Sequence, residues 1–151
     1  MTAVMLLGLS VATVRAVELD PSGSWPHWRG VRDDGAATGR YPSGWQDGSL
    51  IAWKAKLPGS GCSTPVIVRD RIFVTCPAEG RNALLAFDWQ GKEVWRTQLG
   101  PERAGKHRNG SGSNPSPVTD GTAVFAHFKS GNLAAFSMDG KLRWKTNLLE
   151  R

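Results

Sequence analysis

The sequence predicts an all-β repeat fold, and three observations carry the prediction. Residues 82–97, NALLAFDWQGKEVWRT, return as residues 132–146, NLAAFSMDGKLRWKT, so that Leu84, Ala86, Phe87, Gly91, Lys92, Trp95 and Thr97 fall on Leu133, Ala135, Phe136, Gly140, Lys141, Trp144 and Thr146. Tryptophan recurs with them, Trp53 standing 42 residues before Trp95 and Trp95 standing 49 before Trp144. Gly and Pro are plentiful, and no long segment carries apolar residues at 3.6 spacing, which argues against helices of any length. A two-stranded hairpin cannot bury an indole by itself, so a hairpin that returns with its tryptophan implies stacked sheets sharing a core.

Three regions follow in order: a leader over 1–16, an irregular strap over 17–49 and repeats over 50–151. The leader, MTAVMLLGLSVATVRA, has an apolar centre over 3–14 and small residues at Val14 and Ala16, as a signal peptidase requires. Its apolar run is too short to span a bilayer comfortably, and no Lys or Arg precedes it, which makes a weak n-region. The expected location is periplasmic or secreted. The strap holds Trp25, Trp28 and Trp45 among prolines and glycines; with no helix or sheet of its own, it needs those large side chains as anchors.

Residues 51–57, IAWKAKL, alternate Ile51, Trp53, Ala55 and Leu57 against Ala52, Lys54 and Lys56, the pattern of a strand with one wet face. After the Gly59 region, Pro65 opens a hairpin that turns near Arg69 and Asp70. The Leu84 and Trp95 strands complete that unit. Residues 100–114 form a long loop, Pro117 opens the next unit, Asp120-Gly121 is its turn, and strands around Ala123, Leu133 and Trp144 follow. Pro65 and Pro117 suit these positions because the first residue of a strand need not donate to the ladder. Gly91 and Gly140 suit theirs because a tight turn between twisted strands calls for positive φ. Intervals of this size fit one four-stranded β-propeller blade per tryptophan.

These residues resemble the pyrroloquinoline-quinone-like β-propeller repeat family, whose repeats run from a Ser-Pro-Val entry to an Ala-Phe-Asp, turn, Gly-Lys, Trp exit. The matching copies are residues 86–95, AFDWQGKEVW, and 135–144, AFSMDGKLRW. The opening Trp25-Pro-His-Trp28-Arg-Gly30 is similar to the strap that precedes the first blade in exported members. The resemblance implies that Trp53, Trp95 and Trp144, with Gly91, Gly140, Pro65 and Pro117, are structural and dock each blade on its neighbour. Repeats of this kind describe architecture without fixing chemistry. Relatives without catalytic activity include the propeller lipoprotein of the outer-membrane assembly machinery and extracellular sensor propellers. A quinoprotein dehydrogenase of the family would add a vicinal Cys pair, a Ca²⁺ site of Glu, Asn and Asp, and a catalytic Asp. Cys62 and Cys76 are not adjacent and no such acidic cluster is present, so no cofactor is expected, quinone included. Propellers close with about 4 to 8 blades, and this chain supplies part of one and about two more. An incomplete ring is therefore expected, completed by missing blades or other chains, with the chain a fragment of a longer propeller.

Few residues are left for chemistry. Cys62 and Cys76 flank the first hairpin, Ser63 falling opposite Cys76, so a small bulge would let them form a disulfide worth about 3 kcal/mol; the alternative is two buried thiols. Arg103, Lys106, His107 and Arg108 gather in the one connection longer than a blade needs, the expected place for an anionic ligand or protein partner. His27, His107 and His127 show no ligand spacing, so no metal site is expected. No nucleophile elbow, P-loop or paired carboxylates occur, so no catalytic residue is expected. The net charge of +6 is scattered over turns and strand ends, without the clustered cations and interleaved aromatics of a nucleic-acid surface. The function expected is an exported, noncatalytic binding or scaffolding module. The alternatives are part of a quinone-dependent dehydrogenase or of a membrane receptor's sensor propeller.

Overall fold

The computed structural model describes residues 19, 23–41, 48, 50–105, 107 and 110–150. The leader, Trp45, Lys106 and Arg108 lie outside them. The described residues form eight strands in two four-stranded antiparallel sheets, each a meander in chain order. The first holds β1 (Val66–Val68), β2 (Arg71–Ala78), β3 (Arg81–Phe87) and β4 (Glu93–Pro101). The second holds β5 (Val118–Thr119), β6 (Ala123–His127), β7 (Asn132–Ser137) and β8 (Leu142–Asn147). No helix is present among the described residues, and the two sheets do not close a ring.

Register repeats between the sheets. Val66 pairs with Phe73 as Val118 pairs with Phe125, and Ala86 pairs with Trp95 as Ala135 pairs with Trp144. Each β3–β4 type pairing carries a register shift near its turn, after Ala86 in one sheet and after Ala135 in the other. Such a bulge bends the strand and increases its twist, which lets consecutive sheets stack with a splay between them.

The main core lies between the sheets. Val66, Val68, Phe73, Leu84, Ala86 and Leu99 of the first meet Val124, Ala126, Phe128, Ala134 and Phe136 of the second. A second cluster, Ile72, Val74, Cys76, Ala78, Ala83, Leu85 and Phe87, covers the other face of the first sheet, with Ala55 packed on it. Burial on both faces explains why β2 and β3 read as almost continuous apolar runs. Val66 is 0% exposed, while its counterpart Val118 is 43% exposed. The second sheet is thus covered on one face only.

Three expectations need correction. Residues 51–57 form no strand. Their alternation is present, but a strand exists only with a hydrogen-bonded neighbour, and none of the described residues pairs with them. The segment instead lies irregularly along the first sheet with Ala55 as its apolar contact. Trp28 is 65% exposed and does not anchor the strap; the Arg29 guanidinium stands over its ring, 5.8 Å from the centroid. The anchor is Trp25, whose backbone exchanges hydrogen bonds with Ile67 at 2.7 and 2.8 Å while Thr119 N–H donates to the Pro26 carbonyl at 2.9 Å. The strap therefore runs along the first strands of both sheets. Finally, no disulfide joins Cys62, which is exposed, to Cys76, which is buried in the second cluster.

Candidate functional site

Strand direction sorts the connections to two ends of the sheet pair. The connections 59–64, 79–80, 102–117 and 128–131 gather at one end, and the tight turns near Asp70, Gly91, Asp120 and Gly140 at the other. The long connection, on which the basic residues were expected to act, is held down at several points. Glu102 N–H donates to the Gly80 carbonyl at 2.9 Å, and its Oε1 accepts from Gly112 N–H at 2.9 Å. Lys129 of the next sheet donates its N–H to the Gly112 carbonyl at 3.0 Å and its Nζ to the Ala104 carbonyl.

Asn114 is the hub of this end. Its Oδ1 accepts from Cys62 N–H at 3.1 Å, from Ser111 N–H at 2.9 Å and from Ser111 Oγ at 3.2 Å. Two residues on, Ser116 Oγ accepts from Thr64 N–H at 2.8 Å, so polar side chains of the second repeat substitute for a ladder to the first. Below them Asn82, fully buried, donates through Nδ2 to the Leu99 and Pro101 carbonyls and to Ser130 Oγ, and accepts from Ser113 Oγ at 3.0 Å. A buried amide satisfied this fully stiffens its surroundings.

An open cavity of about 360 Å³ results, lined by Gly105, His107, Gly110, Ser111, Asn114, Pro115 and Lys129. Of the predicted basic residues, the structure brings His107 to this cavity, and Arg103 lies in the same connection, exposed. Sequence reasoning missed Lys129 and Asn114. The blade topology itself was the signal for Lys129, because the 128–131 turn must fall at the end where the long loop lies. Asn114 had no signal beyond its place two residues before Ser116.

The tight-turn end holds the tryptophans. A Cβ on Gly91 would stand 2.5 Å from the Trp53 ring, and one on Gly140 would stand 2.7 Å from the Trp95 ring. Both glycines have left-handed φ, 78° and 86°. Trp53 Nε1 donates to the Trp89 carbonyl at 2.8 Å and Trp95 Nε1 to the Met138 carbonyl at 3.1 Å. Trp144 meets no such glycine: it packs on Phe125 of its own sheet and is 45% exposed, so its expected docking has no counterpart among the described residues. Pro65 and Pro117 each stand immediately before the first strand of a sheet.

Chemistry needs more than this. Among the described residues no three of His, Cys, Asp or Glu lie together to hold an ion. Burial pushes the Cys76 thiol up. Cys62 is exposed and Cys76 buried, so the two thiols do not form a vicinal pair among the described residues. No helix among them is long and apolar enough to cross a membrane.

A family model described as outer membrane protein assembly factor BamB matches residues 44–151. Among solved structures the chain is similar to the quinohemoprotein alcohol dehydrogenase from Comamonas testosteroni, with a TM-score of 0.65 and 17% sequence identity over 87% of this chain. The chain spans only 20% of that enzyme, and at this identity the likeness shows the fold alone. No curated protein matches the sequence.

Proposed function

Since the chain belongs to the β-propeller family of outer membrane protein assembly factor BamB, we propose that it is an exported, noncatalytic propeller segment that binds a partner through its loop end. The observation that carries this reading is the clamped 102–117 connection. Its backbone is fixed to both sheets at Glu102 and Gly112, and it brings His107 to an open cavity that Lys129 of the 128–131 turn also lines, with Arg103 exposed in the same connection. A connection tied down by hydrogen bonds from Glu102, Asn114 and Ser116 has lost most of the ordering cost of binding in advance. Its cations suit an acidic protein surface or a small anion. The apolar leader and the family both support export.

Titration of the full chain with a polyglutamate peptide, followed by amide NMR, tests the binding reading. Saturable shifts over residues 103–114 and Lys129, weakened at least tenfold in Arg103→Ser/Lys129→Ser and by added salt, are expected. Absence of any saturable shift there overturns it. Dye-linked alcohol or sugar oxidation after addition of pyrroloquinoline quinone and Ca²⁺ would replace this reading with the dehydrogenase one.

A further inference from the structure

A second open cavity, of about 380 Å³, lies between the two sheets at the tight-turn end. Its apolar wall comes from both of them: Val94 and Trp95 belong to β4, and Met138 to the turn before β8. Trp95 and Met138 also pack on the main core, and Trp95 Nε1 donates to the Met138 carbonyl at 3.1 Å, so this wall is fixed before a ligand arrives. Val94 is 43% exposed and still offers apolar surface. The rim is charged. Asp70 is engaged by the Arg71 guanidinium of its own turn, and Asp139 accepts from Ser137 Oγ and pairs with Lys141 Nζ at 2.9 Å. Each of these carboxylates therefore has a cation of its own. Arg69 lines the same cavity, is exposed, and pairs with no carboxylate among the described residues. Its backbone is left-handed (φ 56°), and its carbonyl accepts from Trp89 Nε1 at 3.3 Å, which ties the turn to the next one.

We propose that this cavity binds a small organic acid, one carboxylate on an apolar body, with the Arg69 guanidinium taking the carboxylate and Val94, Trp95 and Met138 taking the body. Charge decides the class. A phosphate or a dicarboxylate would bring a double negative charge toward Asp70 and Asp139, whereas a single carboxylate meets the one guanidinium without a partner, whose fork matches its two oxygens. A neutral apolar ligand would leave Arg69 unused, and a bare inorganic anion would leave the apolar wall wet. The site lies at the opposite end of the sheets from the 102–117 connection. It uses none of that connection's residues, so it stands or falls separately from the binding role of the loop end.

The full-length chain should be titrated with hydrocinnamate and followed by NMR of the Trp95 indole N–H and the Arg69 guanidinium, with hydrocinnamamide and acetate as probes lacking the charge and the body. Saturable shifts at both groups are expected with the acid, and affinities weaker by about tenfold or more with the amide and with acetate. Arg69→Asn keeps the turn, because asparagine adopts left-handed φ more readily than arginine. It should weaken the acid about tenfold and leave the amide unchanged. Val94→Asp, at an exposed position, adds a carboxylate to the rim and should weaken the acid by a similar factor, whereas Arg81→Gln, at the far end of β3, should change nothing. A Gly-Gly-Phe peptide with a free C-terminus separates two sources of the same chemistry: affinity equal to that of the acid assigns the site to chain ends, and much weaker affinity assigns it to free acids, both in support. Absence of a saturable shift at Trp95, an amide or acetate that binds as tightly as the acid, or acid binding indifferent to both Arg69→Asn and Val94→Asp would each overturn the proposal.

Discussion

Gly140 and Gly80 share a left-handed backbone but differ in surroundings, and the difference sets what each substitution costs. At Gly140 a Cβ would stand 2.7 Å from Trp95, whereas at Gly80 nothing lies within 4 Å. Gly80→Ala should therefore cost about 1 kcal/mol from backbone strain alone, while Gly140→Ala should cost about 2–3 kcal/mol because the indole must also move. Urea unfolding of the two variants measures the gap. Two carboxylates at the tight turns add a dependence on pH. The Ser137 hydroxyl and Lys141 ammonium beside Asp139 pull its pKa from 3.8 to about 2. For Asp120, burial pushes the pKa up, but the Thr122 and Ala123 N–H groups outweigh it and leave it below the ordinary value. Both groups are more acidic folded than unfolded, so their contribution is complete above the ordinary carboxylate range and is lost as pH falls through it toward about 2. Thermal melts should drop over that window, and the drop should shrink in Asp120→Asn/Asp139→Asn.

Elements in this chain are fixed partly by local pattern and partly by what they meet. The Asn82 amide ties β3 to the end of β4 and to the second sheet through Ser113 and Ser130. Asn82→Leu would leave the Ser113 hydroxyl and the Leu99 and Pro101 carbonyls short of a partner, while Ser130 keeps Asn132, at a cost of about 2–4 kcal/mol. Denaturant unfolding checks this, with Asn147→Ala as a comparison of much smaller effect, since its side chain is partly exposed. The hairpins were legible because Gly91 and Gly140, each four residues before a tryptophan, mark turn and strand by local chemistry alone. Residues 51–57 misled for the same reason, since alternation is local and strand pairing is not. The amide clamp could not be read at all, because Asn82 reaches residues 31 and 48 positions away. Trp28 and Trp25 share a motif, yet only Trp25 faces a strand edge, which spacing does not reveal.

At the scale of the molecule, the two sheets hold together through the apolar core between them and through Trp95, whose indole closes over the bare glycine Gly140 of the next repeat. The joint explains why tryptophan and glycine recur as a pair and why the second sheet keeps one face open. It also makes Trp95 and Trp144 chemically matched but energetically unlike. Trp95 is partly buried and bonded across the sheets, whereas Trp144 is 45% exposed and packs on Phe125 of its own sheet. The direct test is denaturant unfolding of Trp95→Ala beside Trp144→Ala. The joint predicts a loss of about 3–5 kcal/mol for the first and less than about 1 kcal/mol for the second. Equal losses, or a larger loss at Trp144, would contradict it.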